Sequence, residues 1–316
     1  MIEVQGLTKR YGDHLALDDV SFTVQPGRVT GFLGPNGAGK STTMRLIVGL
    51  DRPTAGTAAV GGVPYRAHLR PMRTLGVLLD AKAADPGRSA RDHLRVLAAA
   101  GGLPRRRVEE TLELVGLADV AGQRLGSFSL GMGQRLGIAV ALLGDPATVM
   151  LDEPVNGLDV DGIQWIRRLL TDLAAEGRTV LLSSHLMSEL EMVADHLVVI
   201  GGGRILADTP MADFLAGASR RRVLVHSPDA GRLAALLARD DVVVESAAAG
   251  QLDVVGLDAP TIGRTAAAHG IELHQLTPRD ASLEEAYLAL THDAVRYAGG
   301  GLTSSPTPSQ TSGSAA

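Results

Sequence analysis

The chain has 316 residues, 45% hydrophobic and 21% charged, with a formal net charge of −5 and no cysteine. Its length suggests two domains with room for a large core, and the missing cysteines exclude disulfides, thiolate metal sites and thiol catalysis. The acidic balance argues against a nucleic-acid binder, and with no stretch near ~18 apolar residues and no signal-peptide pattern a soluble chain is expected, meeting a membrane only through a partner.

Residues 1–4 and 20–24 cluster or alternate apolar side chains ahead of turn signals and are predicted as strands. Residues 29–33 give another, and it runs into GPNGAGKST at 34–42, which is G-x-x-x-x-G-K-[ST] with a second hydroxyl. In such a loop Gly34, Gly37 and Gly39 let main-chain N–H groups close on phosphate oxygens, with Asn36, Ala38 and Thr42 completing the wrap. Lys40 reaches the β- and γ-phosphates, and Ser41 places its hydroxyl on Mg²⁺. A helix over 41–50, with Met44, Ile47 and Leu50 as its apolar face, adds the N-terminal dipole. A bound nucleoside triphosphate is the prediction.

Gly61, Gly62 and Pro64 mark turns, and two helical pieces follow over 89–116. Ser89 with Asp92 caps the first and Pro104 opens the second; Arg95 and Arg105–Arg107 read as a solvated face. FSLGMGQRL at 128–136 leads into a helix, where Ser129 and Gly131 make a second anion-binding nest. Residues 148–151 form a buried strand ending in two carboxylates. Asp152 can hold the Mg²⁺ shell, and Glu153 is placed to polarise an attacking water. A helix at 163–175, with Trp165 expected in the core, precedes a strand at 179–183. SSH at 183–185 then brings out His185, which can donate to the γ-phosphate. A helix at 186–194 and a strand at 197–200 complete an α/β domain ending near 216. The other histidines, His14 among them, show no metal spacing and read as surface or satisfied groups.

Beyond 221 the order is strand 222–226, helix 231–239, strands 242–246 and 252–255, helix 261–269 and strand 271–276, the split βαβ arrangement. A last helix at 282–290 is capped by Ser282 and Glu285, with Leu283, Ala286, Tyr287 and Leu290 as its stripe. Residues 298–316 are uncharged, mostly Gly, Ser, Thr, Pro and Ala, and are expected to be a disordered tail.

GPNGAGKST, FSLGM, VMLDEP (149–154), NGLD (156–159) and SSH, in this order and spacing, resemble the ATP-binding-cassette nucleotide-binding domain over about residues 1–216. The resemblance implies a P-loop NTPase cassette, α/β in class. A RecA-like core would carry an antiparallel β subdomain and a helical subdomain at about 85–145. A small C-terminal α+β, ferredoxin-like module would follow at 221–297. It further implies that Tyr11 stacks on adenine and that Asp159 belongs to the D-loop. The cofactors would be ATP and Mg²⁺, the metal shell Ser41, Asp80 and Asp152, and the catalytic group Lys40, Glu153 and His185. Two copies would pair head to tail over two ATP molecules, each touching the phosphate loop of one subunit and Ser129 and Gly131 of the other.

Two departures stand out. Leu130 replaces the first glycine of the family's LSGGQ, and LGVLLD at 75–80 puts Asp80 where the Q-loop usually has Gln. A carboxylate accepts from a metal-bound water but cannot donate as an amide does. An acidic residue there, together with SLEEAYLALT at 282–291, resembles the ABC-2 and antibiotic-resistance exporter branch. The module's plainer alternative is a stability or dimerisation extension without a ligand. The expected function is the ATPase subunit of an exporter, driving separate transmembrane permease subunits from the cytoplasmic face of the cell membrane, with no nucleic acid. The alternatives are an importer subunit and a soluble ABC-type ATPase acting on nucleic acid or an assembly partner.

Overall fold

The computed structural model describes residues 1–80, 84–218, 222–239, 242–279, 282–288 and 290–291. They fall into two compact units, Met1–Ala216 and Gly217 onward. The expected tail at 298–316 lies outside the described residues.

The first unit opens with a hairpin, β1 (Ile2–Tyr11) and β2 (His14–Val24), and continues through β3 (Arg28–Leu33), α1 (Lys40–Ile47) and β4 (Ala55–Val60). Next come α2 (Pro71–Thr74), β5 (Leu75–Leu78), α3 (Ala90–Ala100), α4 (Arg106–Leu114) and α5 (Leu130–Leu142). It closes with β6 (Thr148–Asp152), α6 (Val160–Ala175), β7 (Thr179–Ser184), α7 (Met187–Glu191), β8 (His196–Gly201), β9 (Arg204–Pro210) and α8 (Met211–Ala218). Strands β2, β1 and β4 form one antiparallel sheet, and the order β5-β6-β7-β3-β8-β9 forms another, parallel except for β9. The strands beside β3 are apolar because both faces of the sheet are covered. Leu181, Val198 and Ile200 are wholly buried.

One core joins the two sheets through α1. Ile2, Leu7, Val20 and Phe22 come from the antiparallel sheet, Phe32, Met150 and Leu181 from the parallel one, and Met44 and Ile47 from the helix. The Phe22 and Phe32 rings meet with centroids 5.4 Å apart. After β3 the chain builds outward on one side through β7 and on the other through β8. That change of direction opens a crevice at the carboxyl ends of these strands, where ligands of such sheets bind. The helices α3 to α5 lie between β5 and β6 in sequence, with Ser89 capping α3 by accepting from Asp92 N.

The helix predicted over 41–50 ends earlier: Val48 is its cap, and Leu50, assigned to the apolar face, is 59% exposed. Trp165 is half-buried rather than core, with the Arg135 guanidinium 4.5 Å over its ring. The guanidinium covers that ring face in a cation–π contact.

The second unit contains β10 (Arg222–His226), α9 (Ala230–Leu237), β11 (Val243–Ala248), β12 (Gln251–Val255), α10 (Ala259–Ala268) and β13 (Gln275–Arg279). Its sheet runs β11-β12-β10-β13, antiparallel throughout, and Val223, Val225, Leu252 and Val254 face Leu233 and Ile262 in a separate core. The strand predicted at 271–276 sits four residues later. Ile271 instead plugs the core at the end of α10, and the edge strand β13 carries Pro278 opposite Val223. An edge tolerates a proline that a central strand would not. Ser282 and Glu285 cap the last helical segment reciprocally, at 3.0 and 3.3 Å. Leu283, Ala286 and Tyr287 are buried there.

Candidate functional site

The loop between β3 and α1 turns on Gly39, whose φ of +114° caps the helix. A β-carbon at Gly39 would stand 2.5 Å from the Leu17 side chain, so only glycine fits this approach. The turn seats Lys40 where it is 7% exposed, donating to the carbonyls of Gly34 and Pro35. Burial holds the Lys40 ammonium below the usual lysine range, while the charges of Glu153 and Asp152 pull it back up. Ser41 Oγ donates to Asp152 Oδ2 at 2.8 Å. These groups border a cavity of about 350 Å³, also lined by Asn36, Gly37, Thr42 and, at its mouth, Tyr11.

The carboxylates arrive on the end of β6. Asp152 is held on its other oxygen by the Ser183 hydroxyl. Glu153 breaks from strand geometry to φ +51°, a conformation costly for a residue with a β-carbon. Its backbone is fixed on both sides. Its N–H donates to Ser183 O at 3.2 Å and to Ser183 Oγ at 3.0 Å, and its carbonyl accepts from Gln134 Nε2 at 3.1 Å. The side chain then meets His185, with Nδ1 2.8 Å from Oε2. One buried hydroxyl, Ser183, thus positions both acids. Ser183→Ala should lower stability by about 1–3 kcal/mol in urea titration, the cost of leaving buried polar groups short of a partner.

The expected residues divide into two groups. Tyr11, Lys40, Ser41, Asp152 and Glu153 share one cavity, and His185 joins them through Glu153. Tyr11 is 45% exposed and fixed there, donating to Asp51 Oδ2 at 2.9 Å with Lys9 Nζ 4.6 Å over its ring. Ser129 and Gly131 stand apart. Ser129 caps α5, accepting from Met132 N at 3.2 Å, and borders a different, largely apolar hollow with Phe128 and Leu130. Asp159 caps α6 by accepting from Gly162 N at 2.8 Å, away from the cavity. Asp80 lines a third hollow, with Leu79, His93, Leu97 and Leu136, and not the one beside Lys40.

Besides Ser183, sequence reasoning missed three contributors. His14 and Ala16 line the cavity because the hairpin sets His14 opposite Tyr11, and a two-residue turn between alternating strands is the signal that could have found them. Gln134 carries no chemistry of its own and shows only as the residue four places after Leu130 on the same helix face.

A family model described as "ABC transporter" matches residues 17–156, and a domain of unknown function, DUF8746, matches 221–284. The bacitracin transport ATP-binding protein BcrA of Bacillus licheniformis is 38% identical over 240 residues, covering 75% of this chain and 78% of that one. A Nod factor export ATP-binding protein I of Burkholderia lata is 34% identical over 300 residues, covering 92% and 96%. Among solved structures, the ATP-binding subunit of an ABC transporter superposes with a TM-score of 0.63 at 30% identity, over 69% of this chain and 92% of the other. A dimeric bacterial ABC transporter cassette gives 0.61 at 25% identity, over 67% and 99%.

Proposed function

The chain belongs to the ABC transporter family as an ATP-binding, ATP-hydrolysing subunit, and from that premise we propose that two copies close head to tail on ATP to drive an exporter. One observation carries this reading. The cavity at Lys40 and the start of α5 at Ser129 are two separate places in one chain. Each is half a site, and a second copy supplies the missing half. Ser129 Oγ and the free N–H groups after it would meet the γ-phosphate bound by the neighbour's Lys40.

Within the cavity the division of labour follows from charge and reach. Lys40 neutralises the phosphates. Glu153 accepts a hydrogen bond from the attacking water and orients it towards the γ-phosphorus. His185, held on Glu153, donates to a γ-phosphate oxygen as charge moves outward. Catalysis of this kind is positioning and charge stabilisation. Tyr11 offers a ring to the base at the mouth, with His14 beside it.

Mg²⁺ fits the donors present. Ser41 Oγ and Asp152 are hard oxygen ligands in hydrogen-bond contact at the start of α1. No group of three or more acidic or histidine side chains among the described residues would hold a metal unaided, so the ion would share its shell with phosphate oxygens. When bound it would supply charge neutralisation across the β- and γ-phosphates. Asp80 would reach that shell only if its segment shifted from the hollow it lines.

No helix among the described residues is long and apolar enough to cross a membrane. The relatives named as transport and export ATP-binding proteins support assigning the translocation path to permease subunits, which this chain would engage from the cytoplasmic face. The relatives named for bacitracin transport and Nod factor export favour an antibiotic-like or lipid-like cargo. The unit from 217 onward is read as a ferredoxin-like accessory module on its strand order. Purifying the tagged chain from detergent-solubilised membranes tests this reading. A polytopic membrane protein should co-elute in stoichiometric amount; elution with ribosomes or nucleic acid, or a substrate-binding importer complex, would overturn it.

A further inference from the structure

Residue 130 is leucine where the family pattern places glycine, and its side chain does more than fill space. Leu130 is the first residue of α5 and is 59% exposed, yet its Cγ and Cδ2 lie 2.4 Å from where a β-carbon on Gly157 would stand. Gly157, at φ +76°, has no such atom, so the leucine seats directly on the backbone of the 153–159 loop. One turn along the same face, Gln134 donates to the carbonyl of Glu153 at 3.1 Å. Between these two grips the loop is tight, with Asn156 N donating to Glu153 O at 3.2 Å and Leu158 N to Val155 O at 3.2 Å. The face of α5 bearing Leu130 and Gln134 therefore holds the loop at Gly157 and at Glu153.

We propose that Leu130 is a positioning residue that couples the start of α5 to Glu153 through Gly157, so that a neighbouring subunit's ATP, once seated on Ser129, sets hydrolysis at this chain's own Glu153. This rests on the composite-site reading above. The physics is that of a lever. The end of α5 that receives a phosphate from the other subunit is wedged against the loop carrying this subunit's base. Glycine at 130 would remove the seat at Gly157 and leave the loop held only at its Glu153 end, by Gln134 and Ser183. Coupling then follows from two sites and two positions of one rigid element.

A double-mutant cycle on kcat tests this. Gly157→Ala puts a β-carbon into the leucine and should cut kcat by about tenfold, and Leu130→Gly alone should cut it several-fold, the range expected of contacting residues. Gly157→Ala should cost less in the Leu130→Gly background than in the parent, because the collision is gone; the strain of alanine at positive φ is common to both steps and cancels in that comparison. Leu130→Met, which keeps an apolar seat, should restore kcat. The Hill coefficient for ATP should exceed 1 in the parent and fall towards 1 in Leu130→Gly, while ATP affinity measured in a Glu153→Gln background stays within about twofold. Multiplying losses, or an unchanged Hill coefficient, would overturn the coupling. Failure of Glu153→Gln to dimerise in ATP would instead bring down the composite site beneath it.

Discussion

Lys40→Ala should abolish measurable ATP hydrolysis and weaken ATP binding by about a hundredfold or more, the effect of removing a charge-assisted contact to phosphate from a partly enclosed site. The same change should not weaken the fold. Burial is the larger influence on Lys40 and holds its ammonium below the ordinary range, so folding already works against that charge even with Glu153 and Asp152 nearby. Alanine removes the burden along with the function. The thermal midpoint without nucleotide should therefore stay level or rise, while the shift produced by added ATP disappears. Two measurements decide it: equilibrium binding of a fluorescent ATP analogue, and melting with and without ATP. Normal turnover, or a chain that melts early without nucleotide, would show that Lys40 serves the fold and not the phosphates.

The chemistry was legible where a motif dictates its own backbone. GPNGAGKST requires a strand before it and a helix after it, and β3 and α1 are there. The two acids of VMLDEP follow an apolar run that can only be a buried strand, and Asp152 duly emerges beside Ser41. Strands whose state comes from their partners were not legible. AGTAAV at Ala55–Val60 has weak strand propensity, and its conformation comes from pairing with β1. Likewise LGVL at Leu75–Leu78 is short and was read only as part of a motif, while β9 alternates at an open edge. The reach of β1 to Tyr11 was underestimated because its outer half is polar. That shortfall hid His14, which faces the cavity only because the hairpin closes at Gly12 and Asp13. Ser183 was hidden differently. Its value lies in accepting from one acid's backbone and donating to the other's carboxylate, a relation between β6 and β7 that spans thirty-one residues of sequence.

Glu153→Gln should slow hydrolysis by about 10²–10⁴, the loss expected when a positioned base is removed, yet leave ATP binding intact or tighter. The substitution is nearly isosteric. Both backbone anchors of residue 153 remain, since they come from Ser183 and Gln134 and do not involve its side chain. An amide oxygen can still meet His185 in place of the carboxylate. What changes is charge. Lys40 loses one of its two nearby anions, and the γ-phosphate loses a negative neighbour, so the closed state becomes easier to reach and harder to leave. A dimer should therefore accumulate in ATP and not in ADP, with the scattering mass doubling and returning when nucleotide is removed. Because Ser129 and Lys40 occupy separate hollows in one chain, that doubling reports completion of the site itself. A monomer in saturating ATP would mean that α5 does not complete the neighbour's site. Unchanged turnover would mean that the water takes its direction from a group other than Glu153.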